Sequence, residues 1–323
     1  MMNKLQRILV IVLAAQLALT ALVFWPRTQT GPSQPLLSNM SVDQVVKLAV
    51  SGAAGEQVSL EKVGDGWVVS GTDGFAAETS RIEAALEKLT AAQRSRQAAN
   101  TADAHKRLQV AEDAYLRRVT VGLADGSQQV IYIGSSPATQ AANARVEGEE
   151  AVFLVSDLTA NDFSAVPSGW IDTLYLDLSA ADPQSLALTN ANGTFELNKD
   201  DSGNWKFSGR QPGEELQTTR ITSLVTTLTQ LRMSAPVGSS VKPEYGLDDP
   251  QAMVEITALQ DGAAQTYTLR VGAQDPASGE YYALVEGKPY VVRITAATAQ
   301  SLTALTREDF VRALPTATAP VYP

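Results

Sequence analysis

The 323-residue sequence contains no cysteine and a single histidine, His105. Without thiols there are no disulfides, no thiolate nucleophiles, no zinc–thiolate sites and no iron–sulfur clusters, and no cysteine to carry a lipid. One imidazole cannot build a multi-histidine metal centre, and it leaves few ways to move protons near neutral pH. Positive charge is also scarce: 25 Lys and Arg stand against 35 Asp and Glu, a net charge of −10. A surface of that sign repels phosphate backbones, which argues against nucleic acid as a partner. No Walker A, G-x-G-x-x-G, H-E-x-x-H or G-x-S-x-G pattern occurs, so no cofactor is expected.

What is present is ordinary globular material, 44% hydrophobic and 19% charged. The length suits two domains of roughly 100–200 residues each. One long apolar run stands out near the start. Ile8 to Trp25 reads ILVIVLAAQLALTALVFW, with Gln16 and Thr20 as its polar members. As a helix it would span about 27 Å, enough for a hydrocarbon core. Lys4 and Arg7 precede it, which places the N-terminus in the cytoplasm, and Pro26 ends it. A cleaved signal peptide is the rival reading, but bulky Val23, Phe24 and Trp25 occupy the place of a small-x-small cleavage site. The expectation is therefore a cytoplasmic stub over 1–7, a transmembrane anchor over 8–25, and a single-pass protein of the inner membrane with its bulk on the extracytoplasmic, periplasmic side. Residues 26–39, rich in Pro, Ser, Thr and Gln, read as a spacer, and 315–323 as a loosely held tail.

The rest of the chain repeats itself with a period near 139 residues. Trp67 in GDGWVVSG matches Trp205 in SGNWKFSG. Ile82, Ala85, Leu86 and Leu89 fall at helical spacing, and Ile221, Leu224, Val225 and Leu228 repeat it. VAEDAYLRRVTV (110–121) then stands opposite YGLDDPQAMVEI (245–256). Each copy continues with an Asp-Gly hairpin signal (Asp125-Gly126, Asp261-Gly262), a strand closing on Gly134 or Gly272, and a Val-Glu-Gly turn. Short connections imply antiparallel pairing, so the expected fold class is α+β: an N-terminal transmembrane helix, then two tandem, mainly antiparallel sheet-plus-helix modules. Copy one covers 40–176 and copy two 177–314.

Several residue groups invite a chemical reading. Tyr245-Gly246-Leu247-Asp248-Asp249-Pro250 could offer Asp248 and Asp249 to a cation or a basic partner, yet the same pattern is a turn before a strand, and two adjacent carboxylates rarely hold an ion alone. Ser239-Ser240-Val241-Lys242 fits S-x-x-K, but the companion elements of that chemistry are missing and Gly238 and Pro243 flank it. His105 lies in a polar stretch with no nucleophile motif around it. Lys199-Asp200-Asp201-Ser202-Gly203 lacks the ligands of a calcium loop and reads as a hairpin turn. Trp67 and Trp205 read as core. The candidate interaction residues are Tyr245, Asp248, Asp249, Tyr281 and Tyr282; no catalytic, cofactor-binding or metal-ligating residue is assigned.

An N-terminal anchor, a strand with D/N-G-x-W or G-N-W, a helix, Y-G-L-D-x-P, a D-G hairpin, L-x-V-G, Tyr281-Tyr282 and V-E-G-x-x-x-V together resemble the bacterial family labelled domain of unknown function 4340. Copy two, from Trp205 to Phe310, carries the resemblance well. Copy one has VAEDAY in place of YGLDDP, and its likeness rests on the duplication. The resemblance implies a non-catalytic accessory subunit of an ABC-type transport system similar to those linked with gliding motility, in a bacterial inner membrane. Its partners would be the ATPase and permease subunits and an auxiliary extracytoplasmic subunit. Two alternatives stay open: an envelope glycan- or lipid-binding protein, and a hydrolase using carboxylates alone.

Overall fold

Strands of the computed structural model follow from apolar residues at alternate positions. Val45–Gly52 buries Leu48 and Val50, Gln57–Val63 buries Val58 and Leu60, and Gly66–Val69 buries Trp67 and Val69. The structure describes Gln16, residues 34–38 and residues 40–314. Among these, two large antiparallel sheets hold most of the chain. The first has nine strands in the order Ala76–Ala77, Gly66–Val69, Gln57–Val63, Val45–Gly52, Arg117–Leu123, Gln128–Ile133, Ala141–Val146, Val152–Ser156 and Arg96–Ala99. The second has eight, in the order Trp205–Phe207, Gly193–Lys199, Asp182–Asn190, Ala252–Gln260, Ala263–Gln274, Tyr281–Val285, Val291–Ile294 and Ala235–Gly238.

The two sheets share one topology. In each, the first strand pairs on one side with its hairpin neighbour and on the other with the strand that follows the helix and turn. The second strand after the helix, Arg96–Ala99 or Ala235–Gly238, crosses to the far edge, and a register irregularity breaks that edge pairing in both sheets, at Val152/Phe153 and at Pro236/Gly238. A short segment ahead of each sheet also pairs with the chain just after each helix: Gln34–Pro35 with Gln93–Arg94, and Leu174–Asp177 with Gln230–Arg232.

Each helix packs on the inner face. Helix Thr79–Ala91 buries Ile82, Ala85, Leu86 and Leu89, each large side chain contributing about 1.5–3 kcal/mol. Helix Thr218–Thr229 buries Ile221, Val225 and Leu228 in the same way. The opposite face of each sheet carries a second, smaller cluster. Strand Gln128–Ile133 shows why: Ile131 and Ile133 enter the main core, while Val130 and Tyr132 point the other way. Residues Ala102–Val110 cover that face in copy one, and Lys242–Leu247 cover it in copy two.

The chain is mostly β rather than α+β: 43% of the described residues lie in strands and 20% in helices. After strand Val152–Ser156 copy one has the 3-10 turns Ala160–Asp162 and Pro167–Gly169 where copy two has helix Ala296–Thr303, and short polar strands such as Arg96–Ala99 add to the β content. The transmembrane helix, and the single-pass inner-membrane placement built on it, are also not supported. Among the described residues no helix is long and apolar enough to cross a membrane; the longest, Thr79–Ala91, has 13 residues, about 20 Å against the roughly 30 Å of a bilayer core. The run Ile8–Trp25 itself lies, Gln16 apart, outside the described residues, as do 1–7, 26–33, Asn39 and 315–323. Residues 34–38 are no spacer: Leu36 and Leu37 are buried in the core of copy one.

Candidate functional site

The densest sequence motif forms a turn across the outer face of the second sheet. Pro243–Tyr245 makes one 3-10 turn, and Gly246 ends it in the left-handed region, φ 62°. That conformation is cheap for glycine and lets the chain reverse. It seats Tyr245 and Leu247 on the sheet, where Tyr245 meets the Tyr282 ring at 4.3 Å between centroids and 30° between planes. Burial pushes the Tyr282 hydroxyl above its ordinary pKa, with the Asp275 carboxylate adding to the effect. Lys242 stands 5.9 Å from the Tyr245 ring centre.

The five candidate residues do not converge. Tyr245 and Tyr282 stack together, but Tyr281, one residue earlier, faces the main core. Asp248 and Asp249 are exposed at the end of the turn and form no ion pair with the described residues. The turn acts as packing, anchored by an aromatic pair worth about 0.5–1.5 kcal/mol beyond its buried area.

Copy one builds the same turn from other residues. Its left-handed residue is Gln109, φ 58°, flanked by Leu108 and the buried Val110. The counterpart of Tyr-Gly-Leu is thus Leu108-Gln109-Val110, two residues ahead of the VAEDAY assignment. Gly134 and Gly272 certify the match. A Cβ on Gly134 would lie 2.0 Å from the Leu108 carbonyl oxygen, and one on Gly272 would lie 2.0 Å from that of Tyr245. Each turn presses so closely on its sheet that only hydrogen fits there.

The remaining sequence candidates take structural parts. His105 Nε2 donates to the Glu150 carbonyl oxygen at 2.7 Å, since a carbonyl can only accept. Ser239 of the S-x-x-K pattern donates from its backbone N–H and its hydroxyl to Asp73 Oδ2, at 2.8 and 2.9 Å. Asp200 accepts from the backbone N–H groups of Ser202 and Asn204, as a hairpin turn requires. Trp67 is buried, and Trp205 is half-buried beneath Lys199. Among the described residues no cluster of three or more His, Asp or Glu is placed to hold a metal ion.

A repeated motif escaped the sequence reading: Thr159-Ala160-Asn161-Asp162-Phe163 and Thr306-Arg307-Glu308-Asp309-Phe310. In each, the Thr backbone N–H and hydroxyl donate to the Asp Oδ2, at 2.7 and 2.9 Å in copy one and 2.9 and 3.1 Å in copy two. The Asp then pairs with a cation on the module's main helix, Lys88 with Asp162 and Arg220 with Asp309, and the Phe is fully buried. Burial raises the Asp162 carboxyl, but hydrogen bonds from Lys88 and Thr159 hold it below its usual value. The T-x-x-D-F spacing itself could have revealed the pair, but it recurs after 147 residues rather than 139, outside the register of the other landmarks.

Beside each motif the helix face is recessed. In copy two a groove of about 380 Å³ runs between helix Thr218–Thr229 and helix Ala296–Thr303. In copy one a groove of about 350 Å³ lies between helix Thr79–Ala91 and the Asp162 to Trp170 segment.

These features define a duplicated, mostly β protein in which each sheet carries one long helix inside and one turn outside. The chain belongs to the family described as Domain of unknown function (DUF4340), which matches residues 67–250 and 242–314. No curated protein and no solved structure matches it.

Proposed function

We propose that this protein is a non-catalytic accessory subunit whose two modules form a rigid platform for partner subunits of an ABC-type transport system, similar to those linked with gliding motility. The partners in this reading are the ATPase, the permease and an auxiliary extracytoplasmic subunit. The reading draws on family membership and on one structural observation, the fixed joint between the modules.

At that joint the loop of Asp73 and Phe75 meets the edge of the second sheet. Asp73 accepts from Ser239, the Phe75 and Tyr290 rings meet edge-on at 5.0 Å, and the Tyr175 hydroxyl donates to the Tyr290 carbonyl oxygen at 2.7 Å. Hydrogen bonds and an aromatic contact at one junction oppose independent swinging of the modules. A platform of fixed geometry loses little freedom on binding, which favours docking of several partners at once.

The test is affinity purification of the tagged chain from its native cells in mild detergent. ATPase and permease subunits should copurify. Recovery of the chain alone would reject the proposal.

A further inference from the structure

The joint between the modules takes one surface from each. Copy one supplies the loop 72–75 and the turn Pro167–Gly169; copy two supplies the sheet edge Ala235–Gly238 and Ser239 behind it. A Cβ on Gly238 would lie 3.0 Å from Asp73 Oδ2, so the loop sits directly on the strand. Because the module is duplicated, each surface exists twice, and the joint leaves one of each unused.

The unused edge is Arg96–Ala99. It pairs with Leu154, Phe153 and Val152 where Ala235–Gly238 pairs with Arg293, Val292 and Val291, and the irregularity falls in the same place. Ser95 and Ser234 donate their N–H groups to the Leu154 and Arg293 carbonyl oxygens alike. Asn100 thus stands at the place of Ser239. Burial differs, however: Ala235, Pro236 and Gly238 are buried, whereas Arg96, Gln97, Ala98 and Asn100 are exposed. Among the described residues nothing accepts from the Asn100 N–H.

The unused loop is Arg210-Gln211-Pro212-Gly213 of copy two, exposed throughout. Set against Ile82 and Ile221, the first buried residues of the two main helices, Pro212 falls at the place of Asp73. Gly74 and Gly213, next in line, share a left-handed φ of 84° and 86°. Leu314, 51% exposed, follows the T-x-x-D-F turn of copy two as Pro167 follows that of copy one. It puts an open apolar side chain where the joint has a residue lying against the edge.

The charges have reversed together. At the joint Lys242 adds to the attraction on the Asp73 carboxylate. Its counterpart in copy one is Asp103, and Glu150 replaces Pro289 beside the edge; neither forms an ion pair among the described residues. The loop has changed the other way. Arg210 donates to the Glu214 carbonyl oxygen, while the Glu214 carboxylate is taken by Arg307. Within the chain an acidic loop meets a basic edge, and its free ends offer a basic loop and an acidic edge. Arg96, the one cation on that edge, stands about 13 Å along the strand from Asn100.

We propose that copies of the chain associate head to tail, with loop 210–213 of one seated on Arg96–Ala99 and Asn100 of the next, in the manner of the internal joint. The contact is heterologous and can extend to further copies. Ala235–Gly238 remains the last strand of its sheet when the joint forms, so no strand is added there. An arginine that blunts strand pairing at the free edge therefore does not bar this contact. The contact is small and the association weak. It concerns the chain alone and does not depend on the transport partners.

Sedimentation velocity of the purified full chain over about 1–500 μM should show growth beyond the monomer. Arg210→Glu and Asp103→Arg should each raise the dissociation constant about fivefold. Both together restore opposite charges and should recover most of the loss. The chain has no cysteine, so position can be read directly. Asn100→Cys and Pro212→Cys chains, once mixed, should be joined by a short bismaleimide, since these are the places of Ser239 and Asp73; neither variant alone should be joined. A wild type that stays monomeric, as it would if chain outside the described residues covered either surface, would overturn the proposal. So would charge reversals without effect, a double variant without rescue, or joining within either cysteine variant alone.

Discussion

Asp73 and Ser239, 166 residues apart in sequence, close the joint between the modules: Asp73 Oδ2 accepts both the Ser239 N–H at 2.8 Å and its hydroxyl at 2.9 Å. Asp73 holds this pose in the left-handed region, φ 55°, which aspartate tolerates better than most residues. The hydroxyl of Tyr290 reaches the same residue's carbonyl oxygen at 3.4 Å.

Breaking that contact should loosen the joint without unfolding either sheet. The Ser239 backbone N–H, then its hydroxyl, hold the Asp73 carboxyl below its ordinary pKa. A depressed carboxyl lends its stability above the unfolded value, about 3.9, and loses it as pH falls through the lower folded value. The joint should therefore be unchanged from neutral pH down to about 4 and weaken below it. At neutral pH, Asp73→Ala should speed amide exchange at Gly238 and Ser239 while Leu48 and Val254 stay protected. Equal exchange at all four sites in variant and wild type would refute the role given to Asp73.

The close approach of turn to sheet predicts a contrast between glycines. Gly134→Ala or Gly272→Ala forces a Cβ to within 2.0 Å of a backbone carbonyl oxygen and should cost more than about 3 kcal/mol. Gly126→Ala meets nothing within 4 Å, although its φ is +85°, and should cost about 1 kcal/mol from backbone strain alone. Urea unfolding midpoints would rank the three variants. Similar losses at Gly126 and Gly134 would contradict the packing account.

Much of this architecture was legible beforehand, and the failures have physical reasons. Helix Thr79–Ala91 announced itself because Ile82, Ala85, Leu86 and Leu89 are apolar at one face of a 3.6-residue repeat and all four are buried. The turn of copy one lies two residues ahead of the VAEDAY alignment, because Gln109 rather than a glycine takes the left-handed position there and leaves no sequence landmark. The edge strand Arg96–Ala99 has no apolar alternation, since an edge strand with three exposed side chains needs none. Leu36 and Leu37 were read into a spacer because Pro and Ser surround them, yet pairing of Gln34–Pro35 with Gln93–Arg94 pulls them into the core. The groove of copy two has no signal in the sequence, because only the fold sets its two helices side by side.

The T-x-x-D-F turns should prove equivalent in energy as well as in shape. Thr159→Ala and Thr306→Ala each remove a hydroxyl that donates to the Asp of the turn, at 2.9 and 3.1 Å. Each should cost about 1 kcal/mol, the usual value of a cap, seen as a fall in Tm of about 2–4 °C. Calorimetry of both variants checks this, and a loss confined to one copy would mean that the two turns differ in use.

Tyr175 provides the most sensitive probe of how the link between the modules enters copy two. Its hydroxyl donates to the Tyr290 carbonyl oxygen at 2.7 Å and accepts the Val285 N–H at 3.2 Å. Burial pushes its pKa up to about 12. A raised tyrosine pKa means that the neutral form is favoured by folding, so this contribution is complete below about pH 10 and is lost as pH climbs towards the folded value. Tyr175→Phe leaves the Val285 N–H and the Tyr290 carbonyl without this partner and should cost about 1–3 kcal/mol. Ultraviolet titration should show one of the nine tyrosines ionising late, and that step should vanish in Tyr175→Phe. If the variant keeps both the late step and full stability, the hydroxyl does not bridge Val285 and Tyr290 in solution.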